Sequence, residues 1–393
     1  MSETPAGWQR TNMGSIGKYL NGRAFKESDW SDRGRPIIRI QNLTGSNSRF
    51  NYYDGDIDER YVVRGGDLLF SWAATLGTYF WHGEEAVLNQ HIFRIESNIN
   101  PKFHKYLLDY KIQELYAQSH GSGMVHITKS KFDALPVDVP PLDVQQRIVE
   151  TLEDHLSRLD RALDEIEKAN AQLQTLRYSL LEEIVHSQAP MCPLSSLTRS
   201  SQYGTSVKCA VGGKGVAVAR IPNLKGGAID MSDEKRASSD SDLSSLMLEA
   251  GDLLFVRTNG SADLIGRTAV VQPGVRAAFA SYLIRFQLDE SLIRPMWVHY
   301  LMESLTYRDV LQRLAASSAG QFNLGLKKLE SIEIPVPALD VQDRLIHELL
   351  AGTESIRELT VRVEAIRATA TQLRRSLLHT AFTGQLLNEE PND

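Results

Sequence analysis

The feature that most constrains this chain is an internal repeat. The stretch PPLDVQQRIV at 140–149 returns as PALDVQDRLI at 337–346. Other matches follow in the same order in both halves, at an offset that rises from 181 to 197 residues: NGRAFK with YGTSVK, RIQNL with RIPNL, GDLLF with GDLLF, FRI with IRF, GMVHI with GQFNL, and LRYSLL with LRRSLL. A slowly rising offset is expected of a duplicated unit whose second copy gained small loop insertions.

Each copy has two parts. The segments 1–139 and 190–336 mix short β-branched or aromatic runs, such as IIRI and DLLFSW, with Gly, Asn and Asp turns and one helical stretch. This pattern predicts two similar α+β domains of about 140 residues, a common domain size. The segments 140–189 and 337–393 have helical periodicity instead.

The helical segments predict two long coiled-coil helices. From Leu142 to about Ser187 there is no Gly, and apolar residues recur at alternating steps of four and three. A proline at or just before the first turn suits a helix start. A 44-residue helix is about 65 Å long and cannot bury its apolar stripe alone. We therefore expect the two helices to pair antiparallel, relating the copies by a pseudo-two-fold axis and separating the two domains; a simple linker or dimerisation arm is the alternative interpretation. The predicted seams are Leu152, Leu156, Leu159, Leu163, Ile166, Leu173, Leu176, Leu180 and Ile184, with Leu349, Ile356, Val363, Ala370, Leu373 and Leu377 in the second copy.

Composition excludes several classes of protein. No apolar run approaches the ~20 residues of a membrane span, and MSETPAGWQR does not have the pattern of a signal peptide, so we expect a cytoplasmic protein. Cys192 and Cys209 lack metal-ligand spacing and are interpreted as ordinary thiols. The net charge of −6 is concentrated in the helical segments, with −5 over 141–190 and −3 over 338–393, so the domains are neutral to slightly basic.

The chain resembles the specificity subunit of type I restriction–modification systems over its whole length. The motifs that carry the resemblance are GWQRTNMGSIGKYLNGRAFK, GDLLF in each half, GSGMVHITKSKF, the proline–LDVQ helix starts and the closing AFTGQLL. The resemblance implies two target-recognition domains, each reading one half of a bipartite, asymmetric sequence of double-stranded DNA, with the helices setting the gap. It also implies two methyltransferase subunits that use S-adenosylmethionine, and restriction subunits that use ATP and Mg²⁺. Val144 and Val341 stand where the family tends to have an acidic residue.

The same resemblance implies a subunit without catalysis or cofactors of its own, and the motifs of the chain agree. VGGKGVA at 211–217 lacks the spacing and hydroxyl of a phosphate-binding loop, and no Asn/Asp-Pro-Pro-aromatic motif occurs. Asp233, Glu234 and Lys235 resemble a nuclease cluster but lie in a polar run that predicts a solvated loop.

Candidate DNA contacts are polar residues in loops that follow repeated landmarks, because Arg, Asn, Gln, Ser and Thr can reach base edges and Lys can reach phosphates. In the first half they are Asn21, Arg23 and Lys26; Ser71, Trp72 and Thr75; and Ser122, His126, Thr128, Lys129 and Lys131. In the second half they are Tyr203, Thr205, Ser206 and Lys208; Arg257, Thr258, Asn259, Ser261 and Arg267; and Gln321, Asn323, Lys327 and Lys328. GDLLF is identical in both halves and the residues after it differ, as expected if the domains read different sequences.

Some polar residues are better interpreted as structural. Arg39 with Arg220, and Arg94 with Arg285, recur at equivalent positions and are expected to stabilise the fold, and His91 is expected to be a satisfied core or edge histidine. The acidic helix faces would repel phosphates. Asp160, Asp164 and Glu167 are therefore predicted to contact the methyltransferase subunits.

Two other functions remain open from the residues alone. A stand-alone bipartite DNA-binding regulator would bind one site tightly without a partner. A coiled-coil protein scaffold would bind DNA without regard to sequence, or not at all. A fused methyltransferase or nuclease is disfavoured by the missing motifs.

Overall fold

The computed structural model describes residues 4–118, 128–238, 242–318 and 321–387. Contacts divide the chain into unit 1, Met1–Glu165 with Ala365–Asp393, and unit 2, Ile166–Glu364. The cuts fall inside both long helices, so each unit joins one α+β domain to a part of each helix. The four-segment division at 139/140, 189/190 and 336/337 describes the sequence repeat and stays a prediction.

Unit 1 is an α+β domain with two four-stranded sheets. The strands are β1 Gln9–Asn12, β2 Gly17–Asn21, β3 Arg35–Ile38, β4 Asn51–Tyr53, β5 Val62–Val63, β6 Leu68–Ser71, β7 Gly77–Phe80, β8 Ala86–Leu88, β9 Ile92–Ser97 and β10 Pro136–Val139. The order of the first sheet is β2-β9-β6-β7, all antiparallel, and that of the second is β4-β3-β8-β5. The helices are α1 Ile40–Leu43, α2 Pro101–Gln118, α3 Lys129–Asp133 and the long α4 Leu142–Val185, which continues into unit 2.

Unit 2 repeats this order of elements. The strands are β11 Met191–Pro193, β12 Thr198–Tyr203, β13 Cys209–Ala210, β14 Val218–Ala219, β15 Leu224–Lys225, β16 Ala228–Ile229, β17 Arg236–Ala237, β18 Leu253–Val256, β19 Thr258–Asn259, β20 Thr268–Val270, β21 Ala278–Phe279, β22 Leu283–Leu288, β23 Ala316–Ser318, β24 Gln321–Asn323 and β25 Glu333–Pro335. The four-stranded sheet has the order β12-β22-β18-β20, and the parallel pair β14–β21 corresponds to β3–β8 of unit 1. The helices are α5 Pro295–Glu303, α6 Leu305–Leu314, α7 Leu326–Glu330 and the long α8 Leu339–Phe382, which continues into unit 1.

The repeated GDLLF builds the centre of each first sheet. Gly66 and Gly251 have φ of 93° and 91°, a left-handed conformation that glycine adopts without steric cost. The Leu-Leu-Phe that follows is buried in β6 and in β18. The aspartate between them accepts a backbone N–H three residues upstream, from Arg64 to Asp67 at 2.8 Å and from Glu249 to Asp252 at 2.9 Å. The motif is therefore a turn and a core strand, which explains why it is identical in both units.

The arginines predicted to stabilise the fold do so. Arg94 lies 3.9 Å from Asp67, and Arg285 lies 3.3 Å from Asp252, so each central strand is tied to the GDLLF turn of its own unit. Arg39 and Arg220 begin the RIxN turns, where the guanidinium of Arg39 lies 4.7 Å from the ring centroid of Trp30 and that of Arg220 pairs with Asp233 at 2.9 Å.

The glutamine of the repeated LDVQ attaches each long helix to its domain. Gln145 and Gln342 are buried at 4% and 0% exposure. The side-chain oxygen of Gln145 accepts the N–H of Asn100 at 2.9 Å, and that of Gln342 accepts the N–H of Arg294 at 2.8 Å. Each amide nitrogen donates to the carbonyl of the proline five residues upstream, at 2.8 Å in both units. One side chain thus satisfies the residue that precedes α2 or α5 and fixes the start of α4 or α8.

The long helices lie antiparallel within each unit. In unit 1, Leu152 and Leu156 of α4 share a core with Phe382 of α8, and Asp160 pairs with Arg374. In unit 2, Leu181 and Ile184 of α4 share a core with Leu349, and Leu180 packs against Gly352. The start of α4 therefore contacts the end of α8, and the end of α4 contacts the start of α8, so the helices run in opposite directions, as predicted.

Two predicted seam positions are wrong. Leu176 is 50% exposed and Leu373 is 48% exposed, and these leucines are equivalent in the LRxSLL repeat. The helix face toward the core of each domain uses the final leucine of the motif, Leu181 or Leu378, because there the helices pack against a domain as well as against each other. Among the described residues, no helix is both long and apolar enough to cross a membrane.

Candidate nucleic-acid interface

Two of the predicted loops of unit 1 meet where β2 and β6 end. The indole Nε1–H of Trp72 donates to the side-chain oxygen of Asn21 at 3.2 Å. The indole also stacks on Phe93, with ring centroids 5.6 Å apart and an interplanar angle of 24°. β2 and β6 both run antiparallel to β9, which lies between them, so β2 and β6 end at the same edge of the sheet.

The third predicted loop of unit 1 continues into α3. Thr128 caps this short helix, since its hydroxyl oxygen accepts the N–H of Lys131 at 3.5 Å. Lys129 lies 5.7 Å from the ring centroid of Tyr19 in β2 and pairs with Asp133 at 2.7 Å, and Lys131 is exposed. We call Asn21, Trp72 and the first turn of α3 surface 1. Ser122 and His126 lie outside the described residues.

Two of the predicted contacts in unit 1 form bonds within the scaffold. Ser71 is fully buried and its hydroxyl donates to the carbonyl of Thr75 at 2.6 Å, so it closes the turn after β6 and cannot reach a base. Arg23 donates to the Tyr53 hydroxyl at 2.9 Å and pairs with Asp29 at 3.5 Å. These bonds tie two loops together, and the DNA contact of Arg23 stays a prediction.

The other two candidates in unit 1 face solvent. Lys26 and Thr75 are exposed, which leaves both available for phosphate or base contact.

In unit 2 all three predicted loops meet at Arg257, the residue that follows β18. Its guanidinium carbon lies 4.7 Å from the ring centroid of Tyr203, and Nη2 donates to the side-chain oxygen of Asn323 at 3.2 Å. The other end, Nη1, donates to the carbonyl of Ser281 at 3.3 Å. The Tyr203 hydroxyl oxygen in turn accepts the N–H of Leu326 at 3.1 Å. A planar guanidinium suits this role because it can stack and donate at once.

A groove opens beside this cluster. It has a volume of about 500 Å³, and its lining includes Thr258, Asn259 and Gln321, all predicted from the sequence. The short strand β19 pairs with β24 so that Thr258 is opposite Asn323. We call Tyr203, Arg257, Asn323 and this groove surface 2.

The remaining candidates of unit 2 divide into two groups. Ser206, Lys208 and Lys327 are exposed. The others also have hydrogen bonds within unit 2: the Thr205 hydroxyl accepts the N–H of Val207 at 3.1 Å, the backbone N–H of Ser261 donates to the Asn259 side chain at 2.9 Å, Arg267 donates to the carbonyl of Asp263 at 3.1 Å, and Lys328 donates to the carbonyl of Leu314 at 2.7 Å. Ser261, Arg267 and Lys328 are exposed as well, which leaves them available for DNA contact.

The interpretation of His91 as a satisfied histidine is wrong. Its φ is +77°, and its Nδ1 is buried with no hydrogen-bond partner among the described residues. The ring lies 5.1 Å from Trp72 of surface 1. The equivalent residue in unit 2, Tyr282, is 56% exposed and lines the groove of surface 2. Both residues lie two positions before the FRI/IRF match. This shared position is the one feature of the sequence that could have pointed to them as site residues.

The three acidic residues predicted to bind a partner differ in environment. Asp160 forms an ion pair with Arg374 of α8 within unit 1. Its contact with a partner stays a prediction. Asp164 is exposed on the unit 1 part of α4, and Glu167 is exposed on the unit 2 part.

Comparison with known proteins gives matches over the whole chain. A family model described as "Type I restriction modification DNA specificity domain" matches residues 5–173. The specificity subunit of the type I restriction enzyme EcoBI from Escherichia coli is 24% identical over 427 residues, covering 96% of this chain and 86% of the relative. The EcoKI specificity subunit from Escherichia coli strain K12 is 23% identical over 429 residues, covering 97% and 90%.

Two solved structures share the fold. A chain described under "Structural basis underlying complex assembly and conformational transition of the type I R-M system" has a TM-score of 0.76 at 17% identity, covering 98% of this chain and 100% of that one. The HsdS subunit from Thermoanaerobacter tengcongensis has a TM-score of 0.51 at 17% identity, with 98% of each chain covered. The resemblance found in the sequence is confirmed: over nearly its whole length the chain is similar to specificity subunits of type I restriction–modification systems.

Proposed function

We propose that this chain is the DNA sequence-specificity subunit of a type I restriction–modification complex in the cytoplasm. Unit 1 reads one half of a bipartite, asymmetric duplex site through surface 1, and unit 2 reads the other half through surface 2. The paired helices set the gap between the half-sites. The chain contributes recognition, while catalysis lies on its partners: two methyltransferase subunits that bind S-adenosylmethionine, and restriction subunits that bind ATP and Mg²⁺.

One observation carries the proposal. The last residue of β2 contacts the residue after β6 in unit 1, as Asn21 with Trp72, and the last residue of β12 contacts the residue after β18 in unit 2, as Tyr203 with Arg257. The scaffold beneath them is the same, and the side chains differ in size, charge and hydrogen-bonding capacity. Base edges differ in donors, acceptors and methyl groups, so different side chains on one scaffold suit two different half-sites. A structural contact alone would favour the same pair twice.

The first prediction tests this function directly. The chain, assembled with its methyltransferase, is used to select binders from random duplex DNA. We expect two short, dissimilar half-sites at a fixed gap. A selection without sequence preference would contradict the proposal and favour the protein scaffold. Tight, site-specific binding by the chain alone would favour the stand-alone regulator.

The acidic face of the helices supports a second part of the proposal, that it docks the methyltransferase. Replacing Asp164 and Glu167 together by alanine should raise the Kd for that subunit about 3- to 10-fold, because exposed charge pairs each contribute only about 0.2–1 kcal/mol. Titration of the labelled methyltransferase measures the effect. Asp160→Ala is the matched control: it breaks the pair with Arg374, and we expect unchanged assembly. Equal loss in both variants, or none in the double variant, would contradict this docking site.

A further inference from the structure

One backbone position is shared by the two surfaces and was not among the predicted contacts. It is His91 in unit 1, directly before β9, and Tyr282 in unit 2, directly before β22. Its carbonyl accepts the N–H of the residue that follows β6 or β18, from Trp72 to His91 at 3.1 Å and from Arg257 to Tyr282 at 2.9 Å. The position is therefore fixed by the scaffold beside the Asn21–Trp72 and Tyr203–Arg257 contacts.

His91 is held in an unfavourable conformation. Its φ of +77° lies in the left-handed region, where a Cβ is sterically disfavoured and glycine fits best. The ring makes an edge contact with Trp72, at 5.1 Å and 67°, and its Nδ1 is buried without a partner among the described residues. Histidine is among the non-glycine residues that tolerate this region best, but no hydrogen bond within the described residues uses its buried Nδ1. Strained residues of this kind concentrate at functional sites.

The orphaned nitrogen indicates which hydrogen bond the ring can offer. A buried N–H without an acceptor is rarer in proteins than an acceptor without a donor. With the buried Nδ1 as the unpaired acceptor, the other ring nitrogen, Nε2, is the one that can donate.

Tyr282 provides independent support from unit 2. Its ring is 56% exposed, which is unusual for an aromatic residue whose backbone is tied into a sheet edge. It borders the groove with Thr258, Asn259 and Gln321, whose side chains can both donate and accept hydrogen bonds. An exposed aromatic ring among such groups fits a nucleobase, which offers a π-face and a polar edge.

We propose that this position is a base-contacting specificity position in each unit, where His91 donates to an acceptor on a base edge of the first half-site and Tyr282 contacts a base of the second. The inference rests on the proposed function and extends it to two residues. Purine N7, guanine O6 and thymine O4 are the major-groove acceptors available to His91.

The test exploits the left-handed backbone. His91→Gly suits a φ of +77° and so preserves the fold, while removing the side chain that reads the base. We expect discrimination at one base pair of the first half-site to fall about 5- to 150-fold, the range for one base contact, with the second half-site unchanged and the unfolding temperature not lowered. His91→Asn, which also tolerates this backbone, should change the preferred base rather than abolish preference. Tyr282→Ala should affect only the second half-site.

Ala74→Gly is the matched control. Ala74 also has a positive φ, +57°, in the adjacent turn, but carries no polar group, so its replacement should leave the selected sequences unchanged. If the wild-type complex selects two half-sites and His91→Gly selects the same ones, the inference is overturned and the proposed function stands. If the wild-type complex selects no sequence, both the inference and the proposed function are contradicted.

Discussion

Replacing Arg257 by alanine is expected to abolish recognition of the second half-site while leaving the first intact. The guanidinium stacks on Tyr203, donates to Asn323 and is anchored to the Ser281 carbonyl, so its loss releases one residue from each of the other two loops of surface 2. A single base contact contributes about 1–3 kcal/mol of discrimination, and losing two at once corresponds to roughly 100-fold or more. Competition between half-site variants, measured on the assembled complex, gives this number directly.

Two further variants separate geometry from charge. Arg257→Lys keeps the positive charge but lacks the planar fork, so specificity should fall nearly as far while the salt dependence of binding is retained. Arg267→Ala removes an exposed guanidinium outside the cluster, and should weaken binding about equally for all sequences. It should also reduce by about 1 the slope of the logarithm of the binding constant against the logarithm of the salt concentration. If Arg257→Ala leaves the second half-site unchanged, surface 2 is not the reading surface.

The internal repeat makes the topology predictable from the sequence. Because GDLLF and the FRI/IRF match recur in order, one interpretation of strand, turn and helix applies twice, and both sheets have the same strand order. The LDVQ matches predict where α4 and α8 begin. The role of their glutamines was not predicted, since a buried amide that joins a domain to a helix leaves no pattern beyond the repeat itself.

The errors among the site residues have physical causes that a sequence does not show. Ser71 is a polar residue next to a strand end, as a real contact would be, but it is buried and the Thr75 carbonyl accepts its hydroxyl hydrogen. A sequence shows which groups can donate and does not show which acceptors the fold brings near. His91 was missed for the opposite reason: the apolar run beside it predicted a buried residue, whereas its importance depends on a backbone angle and an orphaned nitrogen.

The largest loss of stability is expected from Arg285→Leu. The Arg285 side chain is 7% exposed and serves three acceptors: the buried Asp252 carboxylate at 3.3 Å, and the carbonyls of Met247 at 2.7 Å and Ser245 at 3.3 Å. Removing one partner of a buried ion pair costs about 3–5 kcal/mol, because the other charge stays buried and uncompensated. Calorimetry of the full chain should show unit 2 unfolding earlier.

The equivalent arginine in unit 1 is the control for that experiment. Arg94 pairs with Glu96 at 3.2 Å and lies 3.9 Å from Asp67, and these carboxylates are 48% and 30% exposed, so water can replace the arginine. Arg94→Leu should therefore cost only about 1 kcal/mol. A similar loss in both variants would mean that burial does not decide the difference.

The pH dependence of Arg285→Leu tests the cause. Burial already raises the pKa of the Asp252 carboxyl above its ordinary value, despite the nearby guanidinium, and removing that cation raises the pKa further. A carboxyl whose folded pKa lies above its unfolded pKa stabilises the fold most when protonated, and this contribution is lost as pH rises through the folded value. The stability deficit of Arg285→Leu relative to wild type should thus be smaller at pH 5 than at pH 8. A deficit independent of pH would assign the loss to the two carbonyls rather than to Asp252.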